Sequence, residues 1–167
     1  SDDWGYTYTV DLTTGPDEGA EGGSTVECEA DAVETTPPSI NDACGNAITP
    51  SAAVQGGTYD GCEGTITYTF TYTDCAGNSD DWVYTYTVDL TTGPDVGADG
   101  GSTVECEADA VEPTPPSIND ACGNAITPSA AVRGGTYDGC EGTITYTFTY
   151  TDCAGNSDDW VERKSVG

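Results

Sequence analysis

The chain is written twice. Ser1 matches Ser79 and Ser157, and residues 1–83 laid on 79–161 differ only at Gly5/Val83, Glu18/Val96, Glu21/Asp99, Thr35/Pro113 and Gln55/Arg133, which sets a period of 78 residues. An internal repeat constrains architecture before any local pattern does. A period this long exceeds a solenoid turn and suits a small self-contained β-domain, so the sequence reads as beads on a string, each with its own core.

The phase of the beads comes from residues 14–23 (TGPDEGAEGG) and 92–101 (TGPDVGADGG). They combine Gly, Pro and acid with little to bury, which marks them as linkers. One domain then spans residues 24–91 and a second 102–167. Residues 1–13 are left over and match the last strand of a domain that would precede the first, with Trp4, Tyr6, Tyr8, Val10 and Leu12 along it. Where the first domain has WVYTYTVDL from Trp82, the second has only Trp160 and Val161 before ERKSVG, so it is expected to lack its last strand.

Residues 65–73, TITYTFTYT, alternate strictly, with Ile66, Tyr68, Phe70 and Tyr72 on one face and Thr65, Thr67, Thr69, Thr71 and Thr73 on the other. That period of two is the mark of a half-buried strand. Trp82, Tyr84, Tyr86, Val88 and Leu90 repeat the pattern after a turn at residues 75–80, giving a hairpin. Two strands alone are marginal in water, so residues 25–28, 39–44 and 47–54 are expected to supply the rest of a two-layer structure. The predicted fold is all-β, tandem Ig-like antiparallel β-sandwiches of six or seven short strands each.

Each bead carries four cysteines, at 28, 44, 62 and 75 and again at 106, 122, 140 and 153. There is no Cys-x-x-Cys and the chain has no His, so a zinc site is poorly supported and disulfides are expected. Four cysteines allow three pairings. In an Ig-like strand order, Cys44 and Cys75 fall at one end of the sandwich and Cys28 and Cys62 at the other. The expected bonds are therefore Cys44 with Cys75 and Cys28 with Cys62, and equivalently Cys122 with Cys153 and Cys106 with Cys140. Disulfides on this scale point to an oxidising exterior.

Charge excludes several function classes. Lys and Arg number 3 against 30 Asp and Glu, a formal charge of −27. Such a field repels nucleic acid and anionic lipid. The lack of His removes the commonest general base, so an enzyme is not expected. No apolar run approaches the roughly 20 residues of a membrane span, and residues 1–8 have no signal-peptide character, so the chain is read as a mature soluble segment.

Taken together, the run from TVEC through NDACGN and GCEGTITYTFTYTDCAGN to an alternating strand resembles the HYR (hyalin repeat) and HYR-like Ig-fold modules of large bacterial surface adhesins. The most specific piece is YTDCAGN, at 72–78 and 150–156, and the four-cysteine pattern is similar to the cysteine-bearing branch of the family. The resemblance implies an extracellular, non-enzymatic stalk or adhesion role and carries over no catalytic residue.

Three further features are candidates for sites. Asp42, Asn46, Asp74, Asn78, Asp80 and Asp81, with Asp120, Asp152, Asn156, Asp158 and Asp159 in the second copy, gather oxygen donors at one end of each bead, and Asp17 or Asp95 of a linker could join them. Calcium takes six to eight such oxygens and is the one candidate cofactor. Against this, Asp and Asn are also ordinary turn formers, and no EF-hand-type loop is present. The Thr rows, with Thr85 and Thr87, form a hydroxyl and methyl array that would suit ice or carbohydrate, although Thr is also a good residue for a solvated strand face. Lastly, insertion of residues 1–12 into the second domain of an identical chain would be head-to-tail and grow a filament. The expected role is thus a structural repeat of a bacterial surface adhesin or fibre whose partners are neighbouring repeats or identical chains. The alternative is an adhesion module that engages glycan, ice or another cell.

Overall fold

The computed structural model describes residues 1–167. The chain divides into two units, one of Ser1–Thr25, Ala32–Asp60 and Gly64–Thr87, the other of Val26–Asp31, Gly61–Glu63 and Val88–Gly167. All regular structure is strand apart from two short 3-10 turns at Glu29–Asp31 and Glu107–Asp109. The first repeat runs β1 (Gly22–Val26), β2 (Ile40–Asn41), β3 (Ala47–Ile48), β4 (Val54–Gly57), β5 (Gly64–Thr73) and β6 (Ser79–Val88). The second runs β7 (Gly100–Val104), β8 (Ile118–Asn119), β9 (Ala125–Ile126), β10 (Val132–Gly135), β11 (Gly142–Thr151) and β12 (Ser157–Val166). Each repeat builds a four-stranded sheet, ordered β1-β6-β5-β4 and β7-β12-β11-β10, and a two-stranded one, β2-β3 or β8-β9.

The alternation in β5 does what its period requires. Ile66, Phe70 and Tyr72 are buried, and Trp82, Tyr86 and Val88 of β6 are buried beside them. Ile40 of β2 joins Phe70, Tyr72 and Trp82 in one cluster, with Ile48 of β3 packed against it. The second unit repeats this with Ile144, Tyr146, Phe148, Tyr150 and Val166. A buried aromatic with a polar tip needs a partner for that tip. Here the partners are carbonyls of the irregular segments. Tyr72 Oη donates to the Pro38 carbonyl at 2.5 Å, Tyr68 Oη to Ala32 at 2.8 Å and Trp82 Nε1 to Ala20 at 2.9 Å. Tyr150, Tyr146 and Trp160 make the equivalent bonds to Pro116, Ala110 and Ala98. The sheet thus fastens the connecting segments onto itself by side-chain donors.

Three expectations need correction. The second repeat does not lack its last strand, because β12 runs to Val166 and pairs with β11 along its whole length, from Thr151↔Ser157 to Gly142↔Val166. A strand requires backbone donors and alternate inward side chains, and ERKSV supplies both. The groove expected to accept a neighbour's residues 1–12 is therefore filled by the chain itself. The sandwich is also not wholly antiparallel, since β12 and β7 are parallel, Glu162↔Gly100 through Val166↔Val104. Finally, the second linker is not free of core. Val96, only 8 % exposed, belongs to the second unit's cluster, and β7 already begins at Gly100. The equivalent Gly22 opens β1, where the Tyr84 ring lies so close that a Cβ would not fit.

The substitute strand carries a cost. Glu162 and Lys164 stand where the first repeat has Tyr84 and Tyr86, whose rings lie 4.9 Å apart. The pair form an ion pair at 2.6 Å with side chains 10 % and 16 % exposed, and Lys164 Nζ also donates to Ser102 Oγ at 3.0 Å. Removing two charges from water offsets most of their attraction. The double substitution Glu162→Tyr/Lys164→Tyr should stabilise the second unit by roughly 1–3 kcal/mol, whereas Lys164→Ala, which strands a buried carboxylate, should destabilise it. Urea unfolding of the three chains checks the order, and a double variant less stable than the parent contradicts it.

Candidate functional site

Two turns in each repeat share one chemistry. Residues 42–46 read DACGN and residues 74–78 read DCAGN, each with Asp first, Gly fourth and Asn fifth. Gly45 and Gly77 take φ of 88° and 91°, the left-handed region that glycine enters without strain. In the first turn Asp42 Oδ1 accepts from the Cys44 and Asn46 backbone N–H groups at 2.9 and 2.8 Å, and Oδ2 accepts from Asn46 Nδ2 at 2.8 Å. In the second, Asp74 Oδ1 accepts from Ala76 and Asn78 N–H, both at 2.9 Å, and Oδ2 from Asn78 Nδ2 at 2.8 Å. Asp120 and Asp152 repeat the pattern. All four carboxylates are buried. The Asn78 side chain also donates to the Leu12 carbonyl at 3.0 Å, and Asn156 to Leu90 at 2.9 Å, so each turn also catches the segment that enters its repeat.

These bonds favour the ionised acids. The Asn46 side chain, backed by backbone N–H groups, holds the Asp42 carboxyl below the usual carboxylate range. Asn78 does the same for Asp74. At Asp120 burial pushes upward, but the Asn124 side chain and backbone donors together outweigh it and the carboxyl is again lowered. Outside the turns, Glu27 is lowered chiefly by the Thr92 side chain, with the backbone of the same residue 2.5 Å away.

The cysteines ride on these turns. The structure contains Cys28–Cys122, with Cα atoms 5.5 Å apart, and Cys62–Cys153, with Cα atoms 5.9 Å apart. Cys44, Cys75, Cys106 and Cys140 are exposed thiols. The expected pairs, Cys44 with Cys75, Cys28 with Cys62, Cys122 with Cys153 and Cys106 with Cys140, are therefore not formed. The bonds instead join one copy of the repeat to the next, and both lie within the second unit, to which Val26–Asp31 and Gly61–Glu63 belong. Strand direction sorts cysteines by the end of a repeat on which they fall. It does not say that the partner lies in the same repeat. Cys122 and Cys153 sit in the turns built on Asp120 and Asp152, which hold them in place to meet Cys28 and Cys62. Nearby, Glu27 takes backbone bonds from Thr91 and Thr92 at 3.2 and 2.5 Å, and Asp89 N–H donates to Val26 at 2.9 Å.

The same geometry bears on the other candidates. The oxygens of Asp42, Asp74, Asp120 and Asp152 are engaged by their own turns, and Asn46, Asn78, Asn124 and Asn156 face them as donors. No group of three or more acidic or cysteine side chains is gathered where it could hold a metal ion. Asp81 and Asp159 accept from Thr71 and Thr149 at 2.6 Å, and Asp80 and Asp158 accept the next residue's N–H. The Thr rows of β5 and β11 are largely half-buried within their sheets, and Thr67 and Thr69 stand beside Gly56 and Val54 of β4. Trp4, Tyr6, Tyr8 and Val10 are 74 to 92 % exposed and lie in no strand, with the Tyr6 and Tyr8 rings against each other. The recurrence of Asp-x-x-Gly-Asn twice in each repeat was a signal available in the sequence. It would have shown these acids to be turn anchors.

A family model described as an HYR-like domain with four cysteines matches residues 16–88 and again 94–162. Modules of this kind are structural or adhesion-type repeats, typically extracellular, rather than enzymes. None of the curated proteins matches the chain. No helix is long and apolar enough to cross a membrane.

The lowered carboxyls give a pH dependence of definite sign. A group whose folded pKa lies below its unfolded value near 3.9 contributes stability that is full above that value and lost as pH falls through the folded pKa. Asp74→Asn and Asp120→Asn should each lower the melting temperature at pH 7, where a charged acceptor is lost. The gap to the parent should close below about pH 4. Taking the difference between chains cancels the general relief of acid–acid repulsion. A gap constant from pH 7 to pH 2 contradicts the turn chemistry described.

Proposed function

Because the chain belongs to the HYR-like domains with four cysteines over both of its repeats, we propose that it is a non-enzymatic spacer in an extracellular bacterial adhesin or filament, built to transmit tension along tandem repeats. The observation that carries this reading is that both disulfides join successive repeats. A bond within a repeat protects that repeat alone. A bond between repeats gives tension a covalent route past the segment connecting them. The shortest such route from Cys28 to Cys153 crosses the Cys28–Cys122 bond and bypasses the stretch between those cysteines, which are 94 positions apart in sequence. The charge of −27 suits the same role, since strongly like-charged modules stay solvated and resist clumping.

Two further features agree with an exterior location. Disulfides persist in oxidising compartments. The Asp120 carboxyl in the turn that presents Cys122 is held below the usual carboxylate range, so the geometry of that turn does not depend on a titration near neutrality.

Stretching the chain from its two termini tests the reading. The oxidised chain should reach a final length shorter than the reduced chain by the contour of the bypassed stretch, 94 positions, about 320 Å at roughly 3.3–3.6 Å per residue. Equal lengths with and without reductant would mean that the bonds do not shunt tension, and the spacer reading would fall.

A further inference from the structure

The four thiols left over are not a random remainder. In the order of the repeat, Cys28 and Cys62 are its first and third cysteines, and each bonds to the second or fourth of the next copy, Cys122 and Cys153. The thiols are Cys44 and Cys75, the second and fourth of the first copy, and Cys106 and Cys140, the first and third of the second. Each pair is the half of the pattern for which the chain holds no partner repeat.

We propose that Cys44 and Cys75 form one covalent docking site and Cys106 and Cys140 another, and that the partner of each is a further repeat of this same sequence. A preceding repeat would bring its first and third cysteines to Cys44 and Cys75, and a following repeat its second and fourth to Cys106 and Cys140. This deepens the spacer reading, on which it rests, by extending one bonding rule to every junction of an array.

Three observations support it. All four thiols are exposed, so a partner can reach them. The turn that would present Cys44 is already formed, with Cys44 N–H bonded to Asp42 Oδ1 at 2.9 Å, the same distance as Cys122 N–H to Asp120 in the bonded copy. The loop carrying Cys140 is likewise held, with Asp138 Oδ1 accepting from Cys140 and Glu141 N–H at 2.9 and 3.0 Å. The identity of the partner follows from the segment that leads into the first repeat. Trp4, Tyr8 and Val10 are 92, 81 and 90 % exposed, whereas the same residues one period later, Trp82, Tyr86 and Val88, are 7, 8 and 2 % exposed within a four-stranded sheet. This segment carries the sequence of β6 outside any sheet, and a strand of that sequence is built to pair with the β5 of a repeat of this kind.

Each bond consumes two thiols. With glutathione disulfide as oxidant, one cysteine forms a mixed disulfide and releases one glutathione, and the second cysteine's thiolate displaces the other. Two electrons and two protons leave with two molecules of glutathione for every bond formed.

The partner repeat has two sources, a second copy of the chain or a further repeat in one polypeptide, and two arms separate them. In the first, the chain is oxidised at high concentration in a glutathione buffer, run on a non-reducing gel and mapped by peptide mass spectrometry. A ladder of multiples with Cys106–Cys44 and Cys140–Cys75 joined across copies supports the second copy. Cys106→Ser/Cys140→Ser should remove the ladder and leave Cys28–Cys122 and Cys62–Cys153 in place. In the second arm, residues 24–101 are duplicated after Gly101 to give three repeats. Cys28 and Cys62 should then bond to the second and fourth cysteines of the inserted copy, and its first and third should bond to Cys122 and Cys153. That map without a ladder in the first arm assigns the partner to the same polypeptide. Bonds closing within a repeat in the longer chain, or persistently free thiols at the inserted junctions, overturn the proposal. The stretching experiment on the two-repeat chain stands or falls separately, because it reads only the bonds already formed.

Discussion

The structure depends on burying an aspartate beneath a five-residue turn and meeting its oxygens with donors. A buried carboxylate is tolerable only when its oxygens are met by donors. Asp120 and Asp152 meet the condition with two backbone N–H groups and one Asn side chain each. The consequence is a turn with little freedom, because moving it would strip a charge of its bonds. Cys122 and Cys153 inherit that rigidity from the loops they occupy. A disulfide forms only when two Cβ atoms come within a narrow range of separation and direction. Fixing one side of the bond by an anchored turn narrows the search to the other side.

The sheets supply the platform beneath those turns. Aromatic side chains fill one face of β5 and β6, and their polar tips reach carbonyls in segments that have no regular structure of their own. Tyr72 and Pro38 are 34 residues apart, and Trp82 and Ala20 are 62 apart. Long-range bonds of this kind do the work that a larger second layer would do in a longer domain. They also explain how two-stranded sheets as short as β2-β3 keep their place, since Ile40 packs on Phe70, Tyr72 and Trp82 while Pro38 is held by Tyr72.

How much of this could be read in the sequence divides along physical lines. The period of 78, the alternation of residues 65–73 and the hairpin to Val88 were legible, because repeat identity and a period of two survive any tertiary context. The all-β class followed from them, and the family from the resemblance carried by motifs such as YTDCAGN. That the cysteines form disulfides was legible too. The partner was not, because strand order describes one repeat and the bonds connect two. The fate of ERKSV was misread for a different reason. Judged by hydrophobicity it is no substitute for YTYTV, yet Glu162 and Lys164 neutralise one another at the inward positions and Val166 fills the last. Composition misjudged Val96 as well, since a lone apolar residue among Gly and Asp looks exposed until the core it enters is seen.

Joining repeats rather than closing each one has a mechanical logic. Tension along a string of small domains passes through the segments that connect them. Here residues 88–101 lie inside the loop closed by Cys28 and Cys122, so tension between those cysteines runs through sulfur and not through the connector. The second bond, Cys62–Cys153, joins cysteines 91 positions apart and closes a loop that overlaps the first. Because the two loops interlock, cutting either bond alone still leaves a covalent bypass of most of the same segment. The two bonds use the first and third cysteines of one copy and the second and fourth of the next, so they require both copies to keep the cysteine positions and the anchored turns. The few positions that vary lie away from all eight cysteines in sequence, and none alters a residue of the Asp-x-x-Gly-Asn turns.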